Sequence, residues 1–233
     1  VFVSGPTPMG NGSSGTVAVM NSTMYYRADN GTNGDELWKS DGTAGNTSMV
    51  RDCNPGAGSS SVEYMFPFGN TLYFKADNGV NGAELWKSDG TQLGTTMVLD
   101  INNGAGDSYP HSFAAYNGEV YFSATDGVNG RTLWKTDGTP GGTTSVVNTE
   151  LGVAGHIEGV IAAGGYMFFN AETSANGREP WISDGTQAGS AMVKDMDVGT
   201  GHCHPQWFTY CNGVVLFRGR TNSSGFELFG IVP

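Results

Sequence analysis

Apolar and polar residues alternate along this chain in short runs, and the runs return in the same order. Met24-Tyr25-Tyr26, Leu72-Tyr73-Phe74, Val120-Tyr121-Phe122, Met167-Phe168-Phe169 and Val215-Leu216-Phe217 are one such set. A second set ends on Trp38, Trp86, Trp134, Trp181 and Phe229, at intervals of 48, 48, 47 and 48 residues by subtraction. Val, Tyr, Phe, Trp and Thr fill these runs while Gly, Asn and Asp separate them, which is the pattern of β-strands joined by tight turns. In the second copy it predicts strands over 61–68, 71–76, 83–88 and 95–100. Asn117-Gly118 and Asn212-Gly213 supply the two positive-φ residues of a type I′ hairpin turn. No stretch sustains the 3.6-residue period of a helix.

A period of roughly 20–50 residues is characteristic of solenoids, propellers and arrays. Four strands per copy form a sheet that cannot bury both faces alone, but sheets stacked about an axis can. The fold class expected is all-β: a five-bladed β-propeller of four-stranded antiparallel blades. The repeats run approximately over 4–52, 53–100, 101–148, 149–195 and 196–233 plus 1–3, within a single domain of 233 residues. Val1-Phe2-Val3 falls in register with the fourth strand Met49-Val50-Arg51, and Glu227-Leu228-Phe229 is a third strand. The N-terminal strand is therefore expected to complete the C-terminal blade, closing the ring and removing a free sheet edge.

Charged residues make up 14% of the chain, glycine numbers 37 and the net charge is −11. That balance disfavours nucleic acid, whose recognition rests on clustered Lys and Arg. It disfavours anionic membranes too, and no apolar run approaches the ~20 residues of a membrane-spanning helix. Cys53, Cys203 and Cys211 make no disulfide framework, and buried or half-buried free thiols are expected. Asn-X-Ser/Thr triplets at Asn11, Asn21, Asn30, Asn46 and Asn222 fit a secretory route, so a secreted protein is expected.

The words Glu36-Leu37-Trp38-Lys39-Ser40-Asp41-Gly42-Thr43 and Glu84-Leu85-Trp86-Lys87-Ser88-Asp89-Gly90-Thr91 resemble a family of ELWxxDGTxxGT repeats found in secreted bacterial and invertebrate proteins. Thr132-Leu133-Trp134 and Glu179-Pro180-Trp181 depart from it modestly, and the fifth copy lacks the turn. In size and blade number the chain is also similar to small five-bladed lectins of the tachylectin-2 type, a likeness of architecture.

Candidate chemistry concentrates on the long loops between repeats, because a rigid scaffold presents recognition residues on loops. Aligning them gives a column Ser13, Ser61, Tyr109, His156, His204, then Gly15, Glu63, His111, Glu158, Gln206, then Thr16, Tyr64, Ser112, Gly159, Trp207. These are either ligand contacts or polar strand ends facing solvent. The neighbouring hairpins carry Asn33, Asn81, Asn129 and Asn176, with Asp35, Arg131 and Arg178, and Glu36, Glu84 and Glu179. Amides beside carboxylates and guanidinium groups match the hydroxyls of a sugar, and equally satisfy turn backbone. The repeated tryptophans read as core. His202-Cys203-His204 matches no strong zinc pattern, and the Asp29 to Glu36 loop lacks ligands that a calcium loop needs, so neither metal nor cofactor is expected.

Hydrolase and nucleotide-binding motifs are absent. The carboxylates repeat, which suits several equivalent sites better than one asymmetric catalytic pair. The expectation is a non-enzymatic lectin with several similar sites on one face, engaging glycans or glycoproteins multivalently. Assembly into a homo-oligomer is allowed. An adhesive or protein-binding propeller is the alternative, and a polysaccharide hydrolase or lyase comes third.

Overall fold

In a computed structural model, which describes residues 15–146, 156–221 and 223–233, the repeating pattern becomes repeating sheets. The first holds β1 (Val17–Met20), β2 (Thr23–Asp29), β3 (Asp35–Ser40) and β4 (Ser48–Arg51), in sequence order and antiparallel. The second holds β5 (Glu63–Phe68), β6 (Thr71–Asp77), β7 (Ala83–Ser88) and β8 (Thr96–Leu99). The third holds β9 (His111–Tyr116), β10 (Glu119–Thr125), β11 (Arg131–Thr136) and β12 (Thr144–Ser145). The fourth holds β13 (Glu158–Ala163), β14 (Tyr166–Thr173), β15 (Gly177–Ser183) and β16 (Ala191–Met192). The last sheet has three strands, β17 (Gln206–Cys211), β18 (Val214–Thr221) and β19 (Ser224–Ile231). No α-helix occurs among the described residues.

The chain divides into two compact units, joined between His111 and Ser112. In the first, Leu37, Leu72, Phe74 and Ala76 are completely buried with Tyr25, Met65 and Trp86. In the second, Phe168, Val215 and Phe217 form one core cluster, and Leu133, Ile157, Met167 and Phe169 another. In the first two sheets the third strands bury successive residues, as in Glu36, Leu37 and Trp38, because both faces are covered there; a half-exposed strand would alternate. The third strand of the last sheet is largely exposed. Burying one such Phe or Leu is worth about 2–3 kcal/mol.

The hairpins Asn117-Gly118 and Asn212-Gly213 adopt positive φ at both residues, as their sequence predicts. The fourth strands, expected to be full partners, shrink to two residues in β12 and β16. The expectation for the thiols needs one correction. Cys53 and Cys203 are buried, but Cys211, at the end of an edge-facing strand, is exposed. The strand expected at Val1-Phe2-Val3, Ser13, the triplets at Asn11 and Asn222, and the loop at 147–155 lie outside the described residues.

Candidate functional site

The repeated hairpin residues turn inward. Glu36 is fully buried and accepts the backbone N–H groups of Cys53 (2.7 Å), Asn54 (3.3 Å) and Ser60 (3.2 Å). Glu84 does the same for Ile101, Asn102 and Ser108, and takes the Ser108 hydroxyl at 2.6 Å. Glu179 accepts from Met196, Asp197 and Cys203. Each glutamate thereby fastens the long loop that leads to the next sheet. Burial outweighs these hydrogen bonds and pushes the Glu36 and Glu84 carboxyls up to about 7, with Glu179 raised as well. With no exposed surface and their oxygens occupied, these three candidates are withdrawn from any ligand, and the physical reason is desolvation.

The asparagines complete the same fastening. The side-chain amides of Asn33, Asn81 and Asn176 donate to Asp52, Asp100 and Asp195 at 2.8, 2.7 and 3.0 Å. Those aspartates also receive the N–H groups of Gly56, Gly104 and Gly199. Asn129 departs, giving its amide to Asp126 in its own hairpin. The hairpin and loop approach so closely that Gly82, at φ +70°, would place a Cβ 2.6 Å from the Gly106 carbonyl oxygen. Asp35 holds its loop through the main chain, its carbonyl accepting from the N–H and hydroxyl of Ser60. In the Asp29 to Glu36 loop, Asp29 and Asn30 side chains cap the amides of Gly31, Thr32 and Asn33.

The column where the repeats differ has another geometry. Ladder register slips between Glu63 and Phe66, Glu158 and Ile161, and Gln206 and Thr209. At these bulges Tyr64, Gly159 and Trp207 take φ of 54°, 67° and 57°, and Ser112 takes 54°. Ser61, Tyr109 and His204 are also left-handed, at 50°, 47° and 50°. Positive φ is strained for bulky side chains and clusters where a side chain must be aimed.

In the first unit the bulge gathers charges and rings. Glu63 accepts from Arg27 at 3.2 Å and Lys75 at 2.6 Å. The Lys75 ammonium lies 5.7 Å from the Tyr64 ring centre and 5.6 Å from that of Tyr109, and Tyr64 packs against His111 at 5.6 Å.

In the second unit His156 pairs with Glu158 at 3.3 Å and Arg178 with Glu172 at 3.1 Å. The Arg178 N–H donates to His202 Nδ1, and the His202 and His204 rings stack at 5.2 Å. Burial, then the Arg178 charge, lowers the pKa of both His156 and His204, and Arg131 adds to the effect on His156. The structure thus brings His156, Arg178 and His204 into one electrostatic neighbourhood, with Arg131 bearing on His156. A metal reading of His202-Cys203-His204 finds one imidazole nitrogen engaged and the buried Cys203 thiol facing Met196, its pKa pushed up to about 11. Trp207 is 72% exposed, and the Arg218 guanidinium lies between its ring (4.9 Å) and that of Phe226 (3.8 Å).

One column escaped the sequence reading: Arg27, Lys75, Ser123, Asn170 and Arg218, on the second strands. Glu63 faces Lys75, Glu158 faces Asn170 and Gln206 faces Arg218 across the ladder. Asn170 is buried and donates to the Pro205 carbonyl oxygen at 2.9 Å. The signal was present as a single polar letter at one register of an apolar strand, since burying such a group demands a partner.

No protein-family model matches the chain, and no curated protein matches it. Among solved structures it is similar to a mutant of puromycin hydrolase complexed with PGG, with a TM-score of 0.61 and 12% identity over 97% of this chain and 37% of that one. Prolyl oligopeptidase B from Galerina marginata, bound to a 25mer macrocyclization substrate, has a TM-score of 0.61 and 10% identity over 95% of this chain and 36% of that one. Oligopeptidase B from Leishmania major has a TM-score of 0.56 and 11% identity over 91% and 31%. The chain spans about a third of the length of these proteins. At such identity the likeness speaks to fold alone: a propeller-like, all-β architecture of repeated blades.

Proposed function

We propose that the chain is a secreted, non-enzymatic carbohydrate-binding propeller whose glycan contacts come from the variable, bulged column. The observation that carries this reading is Trp207: a large ring on a left-handed bulge, mostly in solvent, with a guanidinium stacked on it. An exposed indole offers a flat apolar face to a sugar, and adjacent charged and amide groups pair with its hydroxyls. Because Tyr64, Ser112, Gly159 and Trp207 differ, the sites are non-equivalent, unlike the near-identical sites that the repeated hairpins suggested. Avidity from several such contacts on one scaffold would raise the apparent affinity for glycans or glycoproteins.

The finer architecture in this proposal is a closed five-bladed ring, with Val1-Phe2-Val3 completing the last sheet. It is supported by that sheet having three strands among the described residues where the other four have four. A glycan array with calorimetric stoichiometry tests the function. Binding weakened tenfold or more in Trp207→Gly is expected, and no glycan bound would overturn it. The exposed Tyr210, Phe226 and Leu228 favour one second reading, a protein-binding propeller, which pull-downs surviving excess free sugar would support.

A further inference from the structure

The turn after the third strand follows one rule in three repeats and breaks it in the first. In Asp89 to Gly94, Asp137 to Gly142 and Asp184 to Gly189, the closing glycine donates its N–H to the Thr hydroxyl at 3.0 Å. A Cβ on that glycine would stand 2.1 Å from the aspartate carboxylate, so a side chain there requires the aspartate to turn aside. The first repeat has Asn46 there. Its turn winds instead into a short 3-10 helix, Ala44–Asn46, and the Asn46 amide donates to Asp41 Oδ2 at 2.6 Å.

Beside this remade turn is an open recess of about 420 Å³, lined by Thr23, Tyr25, Lys39, Asp41, Asn46 and Ser48. The third repeat shows what fills the equivalent place. Glu119 replaces Thr23 there, and it accepts from Lys135 at 3.0 Å and from the Tyr121 hydroxyl at 3.3 Å. In the first repeat the short Thr23 leaves that volume empty, and the Lys39 ammonium turns to the Gly90 carbonyl oxygen at 2.8 Å. One change from the repeat, the Asn46 turn, borders this recess, and the short Thr23, matched by Thr71 in the second repeat, leaves it open. Departures from a local rule are expected at functional or strained places.

The lining is polar and balanced. Three hydroxyls, an amide, one ammonium and one carboxylate offer donors and acceptors together with no net charge, and each hydroxyl both gives and accepts. A ligand rich in hydroxyls and without charge fits that set, and the volume lies within the range of small-molecule sites. We propose that this recess binds one neutral sugar unit, at a site separate from the bulged column and independent of it.

The test is a titration of the whole chain with methyl glucoside, methyl galactoside and methyl mannoside, followed by amide NMR shifts and calorimetry. One of the three should give saturable shifts at Thr23, Asn46 and Ser48. Thr23→Glu imports the side chain that the third repeat already tolerates, and it should abolish those shifts while far-UV circular dichroism stays unchanged. Asn46→Gly should weaken binding tenfold or more, whereas Trp207→Gly should leave it intact. No saturable shift with any of the three, or shifts unchanged in Thr23→Glu, would overturn the proposal. Loss of those shifts in Trp207→Gly would overturn the independence of this recess from the bulged column.

Discussion

In the first, second and fourth repeats the hairpin end meets the long loop that follows it, and the bulge beyond the loop does the opposite with its residues. At the hairpin end, Glu84 and Asn81 spend their hydrogen bonds on the loop backbone, and the same arrangement returns at Glu36 with Asn33 and at Glu179 with Asn176. At the bulge, the residues change from Tyr64 to Ser112 to Gly159 to Trp207 while the backbone keeps its left-handed turn. Repetition therefore marks architecture here, and variation within a repeated backbone marks the surface that the proposed function uses. A left-handed position held in turn by Tyr, Ser, Gly and Trp is a mount for differing side chains.

The largest effect should come from removing a clamp. Glu84→Ala takes the acceptor from the buried Ile101 amide and the half-buried Asn102 amide, while Ser108 keeps the Ala83 carbonyl, and about 3 kcal/mol of stability should be lost. Urea denaturation measures it, and the fraction still folded should bind glycan normally. Next comes Gly82→Ala, which places a methyl against the Gly106 carbonyl at a left-handed φ. About 2 kcal/mol is expected from the same titration.

The clamps also set a pH dependence. In the folded chain Glu36 and Glu84 hold their protons up to about 7, while in the unfolded chain they release them near the ordinary value of about 4.3. The folded state binds more protons between those limits. This contribution is fully present below the unfolded value and is lost as pH rises through about 7. Denaturation midpoints should therefore fall between pH 5 and pH 8, and Glu84→Gln should flatten the slope. A slope unchanged by that substitution would deny the clamp its titration.

The smallest stability effect belongs to the bulge. Trp207→Gly should change folding free energy by no more than about 1 kcal/mol, since glycine relieves the left-handed backbone and little packing is lost from an exposed ring. Its effect on glycan binding should be far greater. A variant that destabilises as much as Glu84→Ala would erase the distinction between the two regions.

Much of the architecture was legible because it is periodic. The register of Trp38, Trp86, Trp134 and Trp181 located the third strands, and Asn117-Gly118 announced a hairpin that the backbone adopts. The division of labour was not legible. Asn33 and Glu36 have side chains that suit a sugar and a turn alike, and only the burial of Glu36 and its three amide partners separates those uses. Tyr64 and Trp207 gave no hint of positive φ, because bulky residues argue against it. Lys75 stood as one polar letter among apolar neighbours, and its meaning emerged when Glu63, Tyr64 and Tyr109 surrounded it.

The most direct test is a crystal of the whole chain soaked with the best-bound glycan from the array. The account predicts electron density stacked on the Trp207 ring or against Tyr64 and Tyr109, and different at each repeat. Density repeated at Asn33, Asn81 and Asn176, with the Asn–Asp hydrogen bonds opened to admit it, would contradict it.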